Sequence, residues 1–94
     1  MQAVYRLNPI TQLHWWQFGE DWVLFEAVSG HTHQMDTLTA ATLMTLGATR
    51  VQLPELLSQI AGELELPVSP ELSNAVSGIL ERLAAAGLIE SSVS

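Results

Sequence analysis

"DWVLFEAVSGHTHQMDTLTAATLMTLGA", residues 21–48, contains the change of period on which the fold turns. Its first part carries Trp22, Val23, Phe25 and Val28, the bulky and β-branched residues of a strand. "EAVSG" (26–30) has the makings of a four- or five-residue hairpin loop, with Gly30 closing it in the left-handed region. "HTHQM" (31–35) is then an antiparallel strand. From Asp36 the apolar spacing moves from two to about 3.6 residues, the signature of a helix. Asp36 or Thr37 can cap its first N–H groups. Ala40, Leu43, Met44 and Gly47 fall at i, i+3, i+4 and i+7 and predict its inner face, and the helix is expected to end near "LGAT" (46–49).

Toward the N-terminus, "QLHWWQF" (12–18) reads as a preceding strand, with "GED" (19–21) as the turn and Gly19 free to take positive φ. Adjacent Trp15 and Trp16 point to opposite faces of a regular strand, so one belongs to the core and the other meets solvent. An exposed tryptophan either anchors a partner or simply covers the sheet. "AVYRLN" (3–8) either adds a short strand or packs on this sheet. Toward the C-terminus, Pro54 suits the first position of a second helix, lined by Leu57, Ile60, Ala61 and Leu64. "ELPVSP" (65–70) interrupts it. Ser69, Pro70 and Glu71 supply a capping hydroxyl, a pre-set φ and an acid for the start of a third helix. Leu72, Val76, Ile79, Leu80 and Leu83 line that helix. Gly87 stops it, with Leu88 placed for the apolar contact that follows a glycine cap. "SSVS" (91–94) reads as a frayed tail.

Three strands followed by three helices make an α+β fold, because a small meander needs helices to cover its apolar face. No repeat, low-complexity tract or linker divides the chain, so residues 1–94 are expected to form a single domain. Hydrophobic residues are 48% of the chain, enough for a modest core. The N-terminus lacks the basic run and apolar core of a signal peptide, and no apolar run approaches the roughly 20 residues of a membrane span. A soluble, cytoplasmic location is the expectation. The ten acidic residues face only Arg6, Arg50 and Arg82, for a net charge of −7. That balance repels polyanions, which makes nucleic acid and anionic membrane poor partners and a basic or neutral peptide or protein a better one.

His31 and His33, two apart on a strand, share a face, and His14 and Asp36 could complete a metal site. The spacing is short and common, however, and no motif supplies a third ligand. The reading adopted is therefore half-buried strand histidines, with neither metal nor cofactor. The chain has no cysteine, which excludes disulfides, thiol nucleophiles and cysteine-ligated metal. No G-x-S-x-G or glycine-rich phosphate loop occurs, and Glu63 and Glu65 lie where a helix ends. A non-catalytic binding module is expected. In a meander ordered one-two-three the third strand keeps an unpaired edge, and "HTHQM" has none of the lysine or proline that protects one. A peptide added as a further strand would cover it.

"WVLFEAVSGHTHQMD" (22–36), "AATLMTLGA" (40–48), "LPELLSQIAGEL" (53–64) and "ILERLAAAGLIE" (79–90) together resemble the PqqD-like peptide chaperones, as do "YRL" (5–7) and "LHWW" (13–16). The similarity is greatest to the branch associated with an HPr-kinase-related system, and its strength lies in the order and spacing of segments. It departs at Asp36, where relatives commonly carry an Asn-like residue, and at "LGA" (46–48), where they carry Asp-Gly. The resemblance implies a winged-helix-like recognition element that binds the leader segment of a ribosomally made precursor peptide and presents it to a peptide-modifying enzyme. It implies peptide contacts from His31, Thr32, His33, Gln34 and Met35 on the strand side. On the helix side it implies Leu72, Ala75, Val76 and Ile79. Two other readings stay open: a winged-helix DNA-binding regulator, which the missing lysines oppose, and an adaptor that uses the open edge to form a homodimer.

Overall fold

The computed structural model describes residues 3–48 and 50–93. Of the helix end expected at "LGAT", Thr49 lies outside the described residues. The expected meander is present: β2 (Leu13–Phe18), β3 (Asp21–Glu26) and β4 (His31–Met35) form an antiparallel sheet in the order β2-β3-β4. Gly19, at φ 63°, is the first of two loop residues between paired Phe18 and Asp21, where a glycine-first hairpin turn needs positive φ. Gly30, at φ 77°, closes the next loop and donates its N–H to the Glu26 carbonyl at 2.8 Å.

The register sorts the side chains. Trp15, Leu24 and His33 lie opposite one another, as do Gln17, Trp22 and Met35, and Leu13, Glu26 and His31. Leu24 is fully buried, so this is the inner face. His14, Phe25 and Thr32, with Trp16, Val23 and Gln34, form the outer face. Trp15 packs against the core while Trp16 is 50% exposed, the split expected of adjacent strand residues. Trp15 meets Trp22 edge to face, with ring centroids 6.1 Å apart.

A second sheet was not anticipated. β1 (Ala3–Leu7) is a strand, but it joins β5 (Val51–Gln52) and β6 (Ile89–Val93) in the order β5-β1-β6, antiparallel throughout. The expectation of a frayed "SSVS" is therefore corrected: Ser91, Ser92 and Val93 pair with Tyr5, Val4 and Ala3. Arg6 clamps the pairing by donating from Nε and Nη2 to Glu90 Oε2 at 3.0 and 2.7 Å.

The helices are α1 (Thr37–Ala48), α2 (Leu53–Leu64) and α3 (Pro70–Ala85). In α1 the buried face differs from the expected stripe. Ala40 and Leu43 are buried, but Met44 and Gly47 are exposed, and Thr42, Thr45 and Leu46 take their places. The threonines can be buried because each hydroxyl donates to a carbonyl one turn back, Thr42 to Leu38 and Thr45 to Ala41, both at 2.8 Å. In α2, Leu56, Leu57, Ile60 and Ala61 are buried and Leu64 packs at the margin. In α3 all five expected residues, Leu72, Val76, Ile79, Leu80 and Leu83, are buried. Ser69 Oγ accepts the Leu72 N–H at 3.2 Å at its start. At its end Gly87 takes φ 77° and Leu88, buried, donates to the Leu83 carbonyl at 3.0 Å. Leu24, Met35, Val51, Leu88 and Ile89 meet these helical faces in one hydrophobic cluster.

Candidate functional site

β4 is paired with β3 on one side, and its other edge carries no strand among the described residues. α3 packs closely on α1, α2 and β6. Along β4, His31, Thr32 and Gln34 are exposed, His33 is half-buried and Met35 is buried. The strand thus emerges from the core at its Met35 end and opens to solvent toward His31. An exposed edge of this kind offers a row of unused backbone donors and acceptors.

The edge is held in place by a residue that sequence reasoning passed over. The Glu26 carboxylate is buried, and it accepts the N–H groups of Gln12 at 2.8 Å, Val28 at 2.9 Å and Ser29 at 2.7 Å. It therefore fastens the β3–β4 loop to the lead-in of β2. The Gln12 carbonyl completes the tie by accepting from the Ala27 N–H at 2.9 Å. These N–H donors, that of Gln12 foremost, hold the Glu26 carboxyl at about 2, well below its ordinary value, against a smaller opposing effect of burial. Ser29 Oγ in turn accepts the His31 N–H at 3.3 Å at the first residue of β4. The available signal was alternation: Trp22, Leu24 and Glu26 share a face, and a carboxylate on an apolar face needs a cage of donors.

At the other end of β4, Asp36 makes the turn into α1. Its Oδ1 accepts the Thr39 N–H at 2.8 Å, the arrangement of an N-cap. The Thr39 hydroxyl and then its N–H, with the more distant charge of Arg82, lower the Asp36 carboxyl below the ordinary range.

The expected contact residues do not all present themselves alike. Leu72, Val76 and Ile79 are buried in the core cluster, whereas Ala75 on the same helix is exposed. His31 and His33 share the inner face, with ring centroids 6.3 Å apart and their planes nearly perpendicular. His14 lies on the opposite face against Phe25, and Asp36 is engaged as a cap, so these four do not converge. Among the described residues no group of three or more His, Asp or Glu side chains could hold a metal ion.

Two concavities lie elsewhere, both beside Tyr5. One, of about 280 Å³, is lined by Ala3, Tyr5, Leu53 and Pro54. The other, of about 350 Å³, lies between α3 and the β1–β6 pair and includes Glu81 and Ser91. The first is mainly apolar, whereas the second brings Tyr5 together with Ser77, Glu81 and Ser91. No helix among the described residues is long and apolar enough to cross a membrane.

No protein-family profile matches the chain, and no curated protein matches it in sequence. A solved structure does match in fold: TbiB1 in complex with the TbiA(beta) leader peptide. The match has a TM-score of 0.70 at 16% sequence identity, over 95% of this chain and 99% of TbiB1. The α+β, winged-helix-like architecture is thus one that a leader-peptide-bound protein also adopts.

Proposed function

We propose that this chain is a non-catalytic recognition element that binds the leader segment of a ribosomally made precursor peptide by strand addition to β4. The observation that carries the proposal is the uncovered β4 edge, held in register by the Glu26 cage rather than blunted by lysine, proline or a bulge. Its support is twofold: the likeness of fold to a protein captured with a leader peptide, and the resemblance of the 22–36 segment to PqqD-like chaperones. Main-chain hydrogen bonds along His31, Thr32, His33, Gln34 and Met35 supply part of the affinity. Side-chain contacts beside Ala75, above buried Leu72, Val76 and Ile79, supply selectivity. The bound leader is presented in the cytoplasm to a modifying enzyme, for which the sequence resemblance points to an HPr-kinase-related system. The surplus of acidic residues suits a modifying enzyme with compensating basic ones.

The test is an NMR titration of the labelled chain with the N-terminal region of a short open reading frame encoded beside its gene. Shifts concentrated in residues 31–35 and along α3 are expected. A folded, monomeric protein that shows no shifts with any such peptide would overturn the proposal. Concentration-dependent broadening of β4 without peptide would point instead to homodimerisation through the same edge.

A further inference from the structure

α3 carries a cation on the same stripe as Ala75, and its surroundings bear on which peptides could dock. Ala75, Gly78 and Arg82 recur at i, i+3 and i+7 and so form one stripe of the helix. Ala75 is exposed and Gly78 half-exposed, and neither carries a side chain beyond Cβ. The Arg82 guanidinium folds back along the stripe: a Cβ placed on Gly78 would lie 3.8 Å from Arg82 Nη1. α1, which begins directly after β4, packs on α3, and Asp36 at the β4–α1 junction feels the Arg82 charge. The Arg82 charge therefore reaches the residue that follows Met35 at the end of the open strand.

Arg6 is occupied by Glu90, and Arg50 precedes β5 in the other sheet. The Arg82 guanidinium makes no hydrogen bond or ion pair with any described residue, and the Asp36 carboxylate is committed to Thr39. A fork of N–H donors stands unclaimed on the same stripe as Ala75, in a chain whose net charge is −7.

We propose that Arg82 is a specificity-determining residue that selects an acidic side chain in the docked peptide: an extended segment bearing Asp or Glu at one fixed distance from its apolar anchors. The proposal rests on strand addition to β4 and names the class of peptide that this site takes. A guanidinium matches a carboxylate with two parallel N–H···O bonds, so lysine does not replace it fully. Gly78 lies beside the guanidinium: a Cβ there would be in ordinary van der Waals contact with Arg82 Nη1, at 3.8 Å.

The probe is a displayed library of short random peptides, panned on the full chain and on Arg82→Gln. Peptides selected by the unmodified chain are expected to share an apolar pattern with an acidic residue at a constant offset. Arg82→Gln should keep the apolar pattern and lose the acidic preference. In the best selected peptide, changing that acid to its amide should weaken binding to the unmodified chain roughly tenfold or more, as for loss of a charge-assisted hydrogen bond, and leave binding to Arg82→Gln unchanged. Equal losses in both proteins, or an apolar pattern without acidic enrichment, would overturn the role of Arg82 while leaving strand addition standing. A lowered melting temperature of Arg82→Gln with unaltered selectivity would assign the residue to the helix C-terminus alone and overturn it equally. Failure to select any peptide that shifts residues 31–35 would overturn strand addition itself, and this inference with it.

Discussion

Replacement of Ile89 by alanine tests the part of the fold that local sequence misrepresents most. Ile89 opens β6, pairs with Leu7 and is 3% exposed within the core cluster. Removing most of a buried isoleucine side chain costs about 2–5 kcal/mol, from lost transfer energy and the cavity left behind. A small domain has only about 5–15 kcal/mol of stability in total, so the change consumes a large share of it. The neighbouring Arg6–Glu90 pair serves as an internal control. Its side chains are 41% and 44% exposed, which places it among surface ion pairs worth about 0–1 kcal/mol. Urea unfolding followed by tryptophan fluorescence should show a marked drop in midpoint for Ile89→Ala with an unchanged slope, and a small one for Glu90→Gln. A change of less than about 0.5 kcal/mol for Ile89→Ala, the range of ordinary surface substitutions, would refute the packing of β6 and restore the frayed tail.

Acid titration should expose the Glu26 cage. The folded carboxyl, held at about 2 against an ordinary 4.5, contributes stability that is fully present above the ordinary value and is lost as pH falls toward 2. Calorimetry across that window should show the melting temperature falling, and the fall should be shallower in Glu26→Gln, which lacks the charged acceptor. At the start of α3, Ser69→Ala removes the oxygen that accepts the Leu72 N–H and should cost about 1 kcal/mol in chemical denaturation, with peptide binding retained. Backbone N–H groups alternate between the two edges of a strand, so one of Thr32→Pro and His33→Pro removes a donor from the open edge and the other breaks the ladder to β3. The variant that keeps its melting temperature should lose peptide affinity; full affinity in that variant would sink strand addition.

Much of the meander and the helical half was legible because its signals are local. Gly19 and Gly30 occupy turn positions that need positive φ, Ser69 caps the helix that Pro70 begins, and Gly87 with Leu88 ends it. The five apolar residues of α3 recur at helical spacing, and all five are buried. The α1 stripe was misassigned for a physical reason. Hydropathy counts a threonine as polar, yet Thr42 and Thr45 return their hydroxyls to the helix backbone and present only a methyl group to the core. The face that turns inward was therefore chosen by packing against α2 and α3.

At the candidate site, the β4 edge could be anticipated from the absence of lysine and proline, because edge protection is written in residue types. The Glu26 cage could not, since its donors at Gln12, Val28 and Ser29 come from segments that only the folded hairpin brings to one carboxylate. The same distinction separates the two sheets. Residues 13–35 are joined by short hairpins, so each strand's partner is its neighbour in the chain. β1 has no such neighbour, and it pairs with residues more than eighty positions away, Arg6 with Glu90 among them. "IESSV" has little strand character of its own. It becomes a strand because buried Leu88 and Ile89 anchor it beside β1, where its backbone groups find partners. Periodicity and capping chemistry decide where elements begin and end, whereas the choice among distant partners waits for the core that brings them together.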